Sequence, residues 1–459
     1  MVFFHGGFAF AAGDFEAARP FLDAGFAVLC PMPRAENGNS GSFELLLGEI
    51  DDRFARSTTW RPDRLDMRPD HSRLQPALKR PLAFARREVV VATSIQRRSF
   101  LLGSVAFASP GLGICTASAQ STPPFAVPVI DRLTIKVLVD SSYDTPRTSS
   151  SPWVKVKRAG LAAPGDYRKT LHNEWGLALA LQSQAGGQTR DLMLDFGYTV
   201  DALNNNIAIM GVDPSQVQAL ILSHGHYDHF GGLIPFLQQH RAKLPTALTL
   251  YAGGEDNFCR RLSAGGAPGQ FAEFGVLDRR ELEALNVRVV LCPTPTVIAD
   301  QAFTTGVIER NSFEHVLPNT FVEYDMKNGL GCDIPAAAAK AQGKPVPDLH
   351  LNEHATCFHL KDRGLIVISS CGHAGIVNST RQAMKVSGID KVHAIVGGFH
   401  LFPADEAYLK QTVAELARLN PDVLIPMHCS GPGLMASLRS MMPAQLVPST
   451  TGTEFTFGA

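Results

Sequence analysis

The sequence predicts a layered α/β fold for residues 128–459, and two observations indicate it. Runs of apolar, β-branched residues alternate with segments of helical periodicity, which is typical of strands and helices packed in layers. Several of these apolar runs end close to histidine or glycine, so polar side chains gather where strands give way to loops. We therefore expect a sheet-based domain with a functional site along one sheet edge.

The first half of this domain reads in order as strand, hairpin, helix and strand. Residues 129–140 predict the first strand because β-branched residues partly alternate with polar ones there. Residues 173–181 and 191–197 predict two strands joined by a glycine-containing hairpin turn. A helix around residues 200–210 follows, and residues 217–222 predict a buried strand.

Composition places the chain among globular proteins. Its 459 residues are 45% hydrophobic and 19% charged, and the length suffices for two or three domains. A formal net charge of -1 argues against a general nucleic-acid binder or membrane-surface binder. The eight cysteines are scattered without a CxxC pair, so no disulfide framework is predicted.

The N-terminal part of the chain predicts no complete enzyme of its own. Residues 1–55 contain an apolar strand ending in His5-Gly6-Gly7, and the stretch resembles the early part of the α/β-hydrolase fold. Because no G-x-S-x-G nucleophile motif occurs in the chain, we interpret residues 1–55 as a non-functional fragment; a small accessory domain is the alternative. Residues 56–93 are rich in arginine and proline, which predicts a basic linker or a disordered segment.

Residues 94–119 resemble a twin-arginine signal peptide. The paired Arg97-Arg98 precedes a short, interrupted apolar stretch and the cleavage site Ala117-Ser118-Ala119. The resemblance implies export of a folded protein by the twin-arginine machinery to a periplasmic or secreted location. The apolar stretch is too short for a stable membrane span. Its internal position favours translation from a later start near Met67. A basic linker and a short helix form the alternative interpretation.

The segment from 221 to 232 contains the densest group of potential metal ligands. His224, His226, Asp228 and His229 lie within six residues, directly after a buried strand. Alternate residues of an extended segment point the same way, so the first three converge while His229 points elsewhere, as a second metal requires. Neutral imidazole and carboxylate ligands suit Zn, Fe or Mn.

Three later apolar runs each end near a further histidine. These are His373, His400 and His428, and each follows a predicted buried strand. A histidine of this kind, taken alone, is commonly a core or surface residue. Because a histidine follows the carboxyl end of each of three predicted strands, we expect His373 and His428 to bind metal and His400 to lie beside them.

The order of these motifs resembles the metallo-β-lactamase fold. A strand ending in Asp195-Phe196-Gly197 precedes H-x-H-x-D-H-x-G-G, and further motifs follow at residues 305–310, 352–354, 371–376, 397–401 and 427–431. Together they are similar to the branch of the archaeal dihydropterin–ribofuranosylaminobenzene phosphate synthase of methanopterin biosynthesis. The resemblance implies an αββα four-layer sandwich with a mononuclear or dinuclear metal site between its two sheets.

The resemblance also implies two ligand sets. The first metal takes His224, His226 and His373, and the second takes Asp228, His229 and His428. The acid that commonly bridges two metals is missing, since Cys371 and His373 occupy the strand end that should present it. Cys371 or His373 fills that role, and His354 is an alternative third histidine for the first metal.

Several residues are expected to support these ligands. Asp195 is expected to anchor the metal loop, because carboxylates behind ligating histidines orient their rings. Glu353 is either a similar support or a solvated acid, and Tyr227 either contacts substrate or lies exposed. Arg310 is either a binder of substrate phosphate or carboxylate or part of an ordinary salt bridge. A helix at residues 336–342 is expected near the site mouth.

The predicted ligand sets favour a metal-dependent hydrolase. The metal, most simply one or two Zn ions, would activate a water for attack on a small ester, lactone, amide or phosphoester. Asp228 is expected to assist proton transfer and His400 to hold the developing oxyanion. The alternatives are a pterin-type transferase with a diphosphate leaving group and a non-catalytic metal- or ligand-binding protein.

Overall fold

The computed structural model describes residues 126–144, 150–265 and 269–458. The hydrolase-like fragment, the linker and the export signal all lie outside these described residues, so all three stay predictions. Within the described part, no helix is long and apolar enough to cross a lipid bilayer.

The strands are numbered in chain order. They are β1 (Val129–Ile130), β2 (Arg132–Val139), β3 (Lys155–Arg158), β4 (Ala178–Ala185), β5 (Gln188–Leu194), β6 (Val217–Leu222), β7 (Leu248–Ala252), β8 (Arg260–Ala264), β9 (Phe271–Gly275), β10 (Val287–Leu291), β11 (Val297–Ile298), β12 (Ala302–Thr304), β13 (Phe321–Glu323), β14 (Met326–Lys327), β15 (Leu330–Gly331), β16 (Val346–Pro347), β17 (Thr356–Leu360), β18 (Gly364–Ser369), β19 (Val392–Gly398), β20 (Val423–Met427) and β21 (Thr453–Phe457).

The helices are numbered in the same way. They are α1 (Val200–Ile209), α2 (Tyr227–Phe230), α3 (Leu233–His240), α4 (Arg279–Ala284), α5 (Pro335–Ala341), α6 (Ile376–Ser387), α7 (Glu406–Leu419) and α8 (Gly431–Met441). Short 3-10 turns lie at Pro214–Gln216, Glu255–Phe258 and His428–Ser430. Side-chain caps define two of the helix starts: Thr199 accepts from the Ala202 amide at α1, and Asp405 accepts from the Tyr408 amide at α7.

Two large mixed sheets form the centre of the domain. The first has eight strands in the order β10-β7-β6-β5-β4-β2-β21-β3, and the second has seven, in the order β11-β12-β17-β18-β19-β20 with β1 beside β17. β6 runs parallel to its neighbours β5 and β7 in the first sheet. β18, β19 and β20 run parallel in the second, so their carboxyl ends share one edge.

The core shows why these sheets stack. Inward-facing residues such as Leu133 and Ile135 of β2 join Ile366 and Ile368 of β18 in one buried cluster between the sheets. The alternation of buried and exposed positions at the start of β2 follows from the two faces of a strand.

Helices cover the outer face of each sheet. Leu203 of α1 and Phe236 of α3 pack on the first sheet. Val377 of α6 and Val413 of α7 pack on the second sheet, together with Leu434 of α8. The structure thereby confirms the predicted αββα four-layer sandwich.

Element boundaries follow the sequence closely, with one informative shift. The strand predicted at 173–181 begins only at Ala178, because the preceding residues form a loop against the metal-ligand motif. A Cβ at Gly176 would lie 2.6 Å from the Asp228 carbonyl oxygen, so this loop needs glycine to approach. The helix predicted at 336–342 is α5.

One disulfide was not expected from the sequence. Cys259, just before β8, is bonded to Cys332, just after β15, across a separation of 73 residues. β8 also pairs with β9 and β13 in a small four-stranded sheet completed by β16. No spacing pattern indicates this bond. Cys259 precedes β8, which pairs with β13, and the β14–β15 hairpin that follows β13 returns the chain to Cys332, whose amide donates to the Asp325 carbonyl.

Candidate metal centre

The H-x-H-x-D-H motif forms the loop and first turn directly after β6. His224, His226, Asp228 and His229 are each at most 5% exposed. Gly225 passes so close to Asn257 and the Arg261 guanidinium that a Cβ there would collide with both. The tight packing of this loop therefore requires glycine between the first two histidines.

The second sheet brings three more histidines to the same place. His373 follows β18, His428 follows β20, and His350 lies in the segment before β17. The ring of His373 lies 5.0 Å from that of His224, between centroids. Nε2 of His428 lies 3.2 Å from Nε2 of His229. The candidate ligands thus come from both sheets.

Several overlapping groups of potential ligand atoms result, and two of them contain the predicted ligand sets. The ligand atoms of His224, His226, His350 and His373 lie within 4.8 Å of one another, and so do those of Asp228, His229 and His428. The structure brings together all six residues for which the sequence predicts metal ligation, and it adds His350. Their ligation itself stays a prediction.

His350 is the member that the sequence reasoning missed. Its ring stacks on His373 at 3.7 Å between centroids and at an interplanar angle of 8°. It follows no apolar run, and only its place two residues after Asp348 in a polar segment could have indicated it. Its amide donates to Oδ1 of Asp348 at 2.9 Å.

His354, the alternative third histidine, faces a different partner. Its Nε2 donates to the Leu222 carbonyl oxygen at 2.8 Å, behind the motif loop. His354 thus contacts the end of β6 through Nε2, and its Nδ1 is buried without a hydrogen-bond partner. His350 lies beside the other imidazoles, and the choice between the two as a ligand stays a prediction.

Buried ligand atoms without hydrogen-bond partners test whether a metal fits. Nε2 of His224, Nδ1 of His350, both ring nitrogens of His373 and Oδ1 of Asp228 are buried and unpaired. Unpaired buried polar atoms are costly and therefore rare in folded proteins. A cation bound by one ring nitrogen each of His224, His350 and His373 would satisfy an unpaired atom on each ring of the first group, and a second cation would satisfy Asp228. Imidazole with carboxylate is a donor set that Zn prefers. The residues present fit a metal.

Contacts behind the cluster fix each ring. Nδ1 of His229 pairs with Asp195 Oδ2 at 2.8 Å, and Nδ1 of His224 lies 2.9 Å from the Ser223 hydroxyl. Nε2 of His226 lies 2.8 Å from the Thr320 hydroxyl. Each contact engages one ring nitrogen and leaves the other for a ligand, which is the usual arrangement around protein metals. Asp195 therefore lies where the sequence predicts.

A buried carboxylate holds the loop that carries His373. Glu353 accepts from the amides of Gly372, His373 and Ala374 at 2.8, 3.1 and 2.6 Å. The side chain is 2% exposed, so it is a support rather than a solvated acid.

A buried ion group supports His350 from the other side. Arg261 is fully buried and donates to Asp348 Oδ2 at 2.7 Å and to Asp256 Oδ2 at 3.1 Å. Because Asp348 also accepts the His350 amide, this group fixes the backbone of the fourth imidazole.

Four residues of the site adopt left-handed backbone conformations. Asp195, His350, His400 and His428 have φ values of 59°, 46°, 44° and 52°. Such values are uncommon for residues with a Cβ. They turn each side chain from a strand end or loop into the cluster.

The electrostatic environment sets the protonation of the imidazoles. Burial lowers the pKa of His224, His226, His350 and His373 well below the usual value. Neighbouring rings lower the pKa of all four further, and the Arg261 charge adds to this at the first three. Neutral imidazole, the form that binds metal, therefore predominates at neutral pH.

His229 behaves in the opposite way. Burial lowers its pKa, but the carboxylates of Asp228 and Asp195 outweigh burial and raise the pKa to about 9. In the metal-free protein a proton thus supplies positive charge in the second ligand group, beside Asp228 and His428.

The two predicted catalytic residues border the cluster. Oδ2 of Asp228 lies 3.4 Å from Nε2 of His428 and 3.8 Å from Nε2 of His229. The His400 ring centroid lies 4.1 Å from that of His373, and Nε2 of His400 lies 3.2 Å from the Pro318 carbonyl oxygen. Asp228 is thus itself a member of the second ligand group, and His400 lies beside the first; their catalytic roles stay predictions.

The rim of the site is part apolar and part basic. Trp175 is 51% exposed, with its ring 5.1 Å from that of His428, and it contacts the exposed Phe402 edge-on. Arg310 is exposed and donates to the Leu349 and His350 carbonyls rather than to a carboxylate. Tyr227 packs against Tyr198 and Phe230.

Comparisons with known proteins agree with this geometry. A family model described as the metallo-beta-lactamase superfamily matches residues 185–289. The chain is 27% identical over 268 residues to 7,8-dihydropterin-6-methyl-4-(beta-D-ribofuranosyl)-aminobenzene-5'-phosphate synthase of Methanocaldococcus jannaschii, covering 58% of this chain and 84% of that protein. An uncharacterized protein of the same archaeon is 25% identical over 246 residues, covering 52% of this chain and 79% of the relative.

A solved structure shows the same fold. Tm1679, described as a metal-dependent hydrolase of the beta-lactamase superfamily, superposes with a TM-score of 0.50 at 20% identity. The superposition covers 70% of this chain and 98% of that chain.

Proposed function

The chain is an enzyme of the metallo-β-lactamase superfamily, and on that premise we propose that it is a metal-dependent hydrolase of a small ester, lactone, amide or phosphoester. The observation that carries this proposal is the group of buried, unpaired ligand atoms on His224, His350, His373 and Asp228.

The proposed ligands divide between two sites. His224, His226 and His373, joined by His350, would hold one ion, and Asp228, His229 and His428 would hold the other. Zn is the proposed metal, with Fe or Mn as the alternatives, because imidazole nitrogens outnumber carboxylates in both sets. When bound, such a metal lowers the pKa of its water toward neutrality and polarises the bond to be cleaved.

The residues of the chain would supply proton transfer and positioning. We assign Asp228 to proton transfer from the attacking water, because one of its oxygens has no hydrogen-bond partner and the other lies near His428. We assign His400 to the developing oxyanion because its ring borders His373; its Nε2–H, which donates to the Pro318 carbonyl in the structure, would turn to the oxyanion instead. Trp175 and Phe402 would hold an apolar part of the substrate, and Arg310 an anionic part.

Metal analysis and turnover on a substrate panel test the proposal together. We expect purified protein to contain up to two Zn, Fe or Mn ions and to hydrolyse at least one chromogenic ester, lactone, amide or phosphoester. His224→Ala is expected to lose both metal and turnover. His240→Ala is the matched control, because this histidine lies on α3 and pairs with Asn204. Full metal loading without turnover on any panel member would support a non-catalytic metal-binding role instead.

A transferase is the second candidate, and similarity to the archaeal synthase favours it. In that case the proposed metals would stabilise a diphosphate leaving group, and Arg310 would contact phosphate. Release of diphosphate from a phosphoribosyl-type donor, with no hydrolysis in the panel, would decide for the transferase.

A periplasmic or secreted location is a further part of the proposal. The twin-arginine-like residues 94–119 support it, and so does the disulfide between Cys259 and Cys332, since disulfides persist in oxidising compartments. Replacing Arg97 and Arg98 by lysine is expected to abolish export in a host with twin-arginine machinery. Export that survives this change would argue against the signal.

A further inference from the structure

Two cysteines at the edge of the ligand cluster contact each other. Sγ of Cys371 lies 3.1 Å from Sγ of Cys429, and neither residue is more than 2% exposed. Both are free thiols. Proposed metal binding and hydrolysis do not assign a role to the pair.

The sheet order creates this contact. Cys371 follows β18 and Cys429 follows β20, while β19 lies between those two strands. The sulfurs can meet because β19 ends in glycine: a Cβ on Gly398 would lie only 2.9 Å from the Cys429 sulfur. The space that joins the two sulfurs thus depends on the missing side chain of Gly398.

The surrounding groups hold both sulfurs in place. The His400 amide donates to the Cys429 sulfur at 3.2 Å. The Cys371 sulfur lies within 4.8 Å of ligand nitrogens of His224 and His229. These contacts keep the Cys429 sulfur against the His400 backbone and the Cys371 sulfur beside the candidate ligand nitrogens.

We propose that Cys371 and Cys429 form a redox modification site, a dithiol that a peroxide oxidises to an internal disulfide beside the metal centre. A disulfide has an S–S length of about 2.03–2.05 Å, so closure requires the sulfurs to approach by only about 1 Å. One thiol attacks the peroxide, which forms an S–O bond, breaks the O–O bond and releases water as a sulfenic acid forms. The second thiol then attacks that sulfur, and the S–O bond breaks as a second water leaves. Two thiols and one hydrogen peroxide thereby give one disulfide and two waters.

The consequence concerns the metal centre. Thiolate sulfur is a strong ligand for soft metals, whereas the sulfur of a disulfide is not. Oxidation therefore removes two soft donors from the edge of the cluster, among them Cys371, whose sulfur lies near ligand nitrogens of both proposed groups.

Peptide mapping of the full chain tests this inference without any use of turnover, so its outcome is independent of the proposed function. Gently reduced protein would be treated with near-stoichiometric hydrogen peroxide, alkylated, digested and analysed by mass spectrometry. We expect a peptide pair linked through Cys371 and Cys429 that separates on reduction. The pair linked through Cys259 and Cys332 in untreated protein serves as the reference for detection.

Variants make the test specific. The linked pair is expected to disappear in Cys371→Ser and in Cys429→Ser and to persist in Cys357→Ser, the matched control on β17, whose thiol is also buried. The inference is overturned if wild-type protein yields alkylated thiols or sulfinic acid at Cys371 and Cys429 without the linked pair. It is also overturned if either cysteine is joined to a different partner. Both overturning results are read on the wild-type chain, so a variant that fails to fold does not weaken the test.

Discussion

Replacing His350 and His354 separately by alanine shows which of the two histidines joins His224, His226 and His373 as a ligand of the first proposed metal. In the structure, His350 stacks on His373 and leaves Nδ1 unpaired, whereas His354 donates Nε2 to the Leu222 carbonyl. We expect His350→Ala to weaken metal binding strongly and to change folding stability little in the metal-free protein. We expect His354→Ala to lower the folding stability of the metal-free protein and to change metal binding little.

The magnitudes follow from the contacts. Structural Zn sites with four ligands bind with about 10–16 kcal/mol, so one ligand is worth about 2.5–4 kcal/mol, or about 70- to 900-fold in affinity. His354→Ala removes one buried hydrogen bond and leaves a small cavity. Leaving a buried carbonyl without its hydrogen bond costs about 1–3 kcal/mol of folding free energy. The Leu222 carbonyl keeps a long contact with Asn257 at 3.4 Å, so we expect a loss near the lower end of that range.

Two measurements complete this test. Competition with a chromophoric chelator gives the Zn affinity, and urea unfolding of chelator-treated protein gives the metal-free stability. The reasoning would be refuted if His354→Ala lost the metal while His350→Ala bound it as wild type does.

Three other predictions concern the surroundings of the site. Asp195→Asn leaves the His229 ring without its carboxylate and is expected to weaken metal binding about 10- to 100-fold. Asp191→Asn is the control: Asp191 lies within β5, the strand that Asp195 directly follows, and pairs with a surface glutamine, so this variant should bind metal normally in the chelator assay. In metal-free protein, the four imidazoles with lowered pKa bind protons more readily when unfolded, so stability should fall as the pH drops below about 6.5. The raised pKa of His229 acts in the other window: its contribution to stability should be lost as the pH rises from about 6.5 to about 9. The limiting slope is about 1.4 kcal/mol per pH unit for each histidine, and urea unfolding across pH would contradict the assignment if stability rose on acidification below about pH 6.5. Cys259→Ser opens a 73-residue loop and is expected to cost about 2–4 kcal/mol, below the chain-entropy limit of about 4.4 kcal/mol; an unchanged urea midpoint would count against it.

Local signals in the sequence predicted the local parts of the site. The motif from His224 to His229 is contiguous, and His373 and His428 each follow an apolar strand, so strand-end reasoning finds them. His350 escapes that reasoning because it follows a short polar segment, and its position depends on Asp348 and on the buried Arg261 beneath it.

Contacts made by sheet order could not be predicted in the same way. The cysteines that form the disulfide are 73 residues apart. Cys371 and Cys429 follow strands that are separated by β19, and their sulfurs meet because β19 ends in a glycine that leaves the space between them open. The four-layer fold was predictable because alternating strands and helices with such motifs have few ways to bury their apolar faces. The register that joins distant loops is decided by packing over the whole sheet.

The left-handed conformations of Asp195, His350, His400 and His428 have a consequence for engineering and evolution. A residue with a Cβ costs roughly 1–2 kcal/mol in this conformation, and glycine avoids that cost. Selection for thermal tolerance alone would therefore favour glycine at His350 and His400, and the resulting proteins would melt later while losing the side chains that define the cluster. If histidine persisted at His350 and His400 in a library selected for heat tolerance, we would infer that selection for the chemistry of the site, and not for folding, retained it.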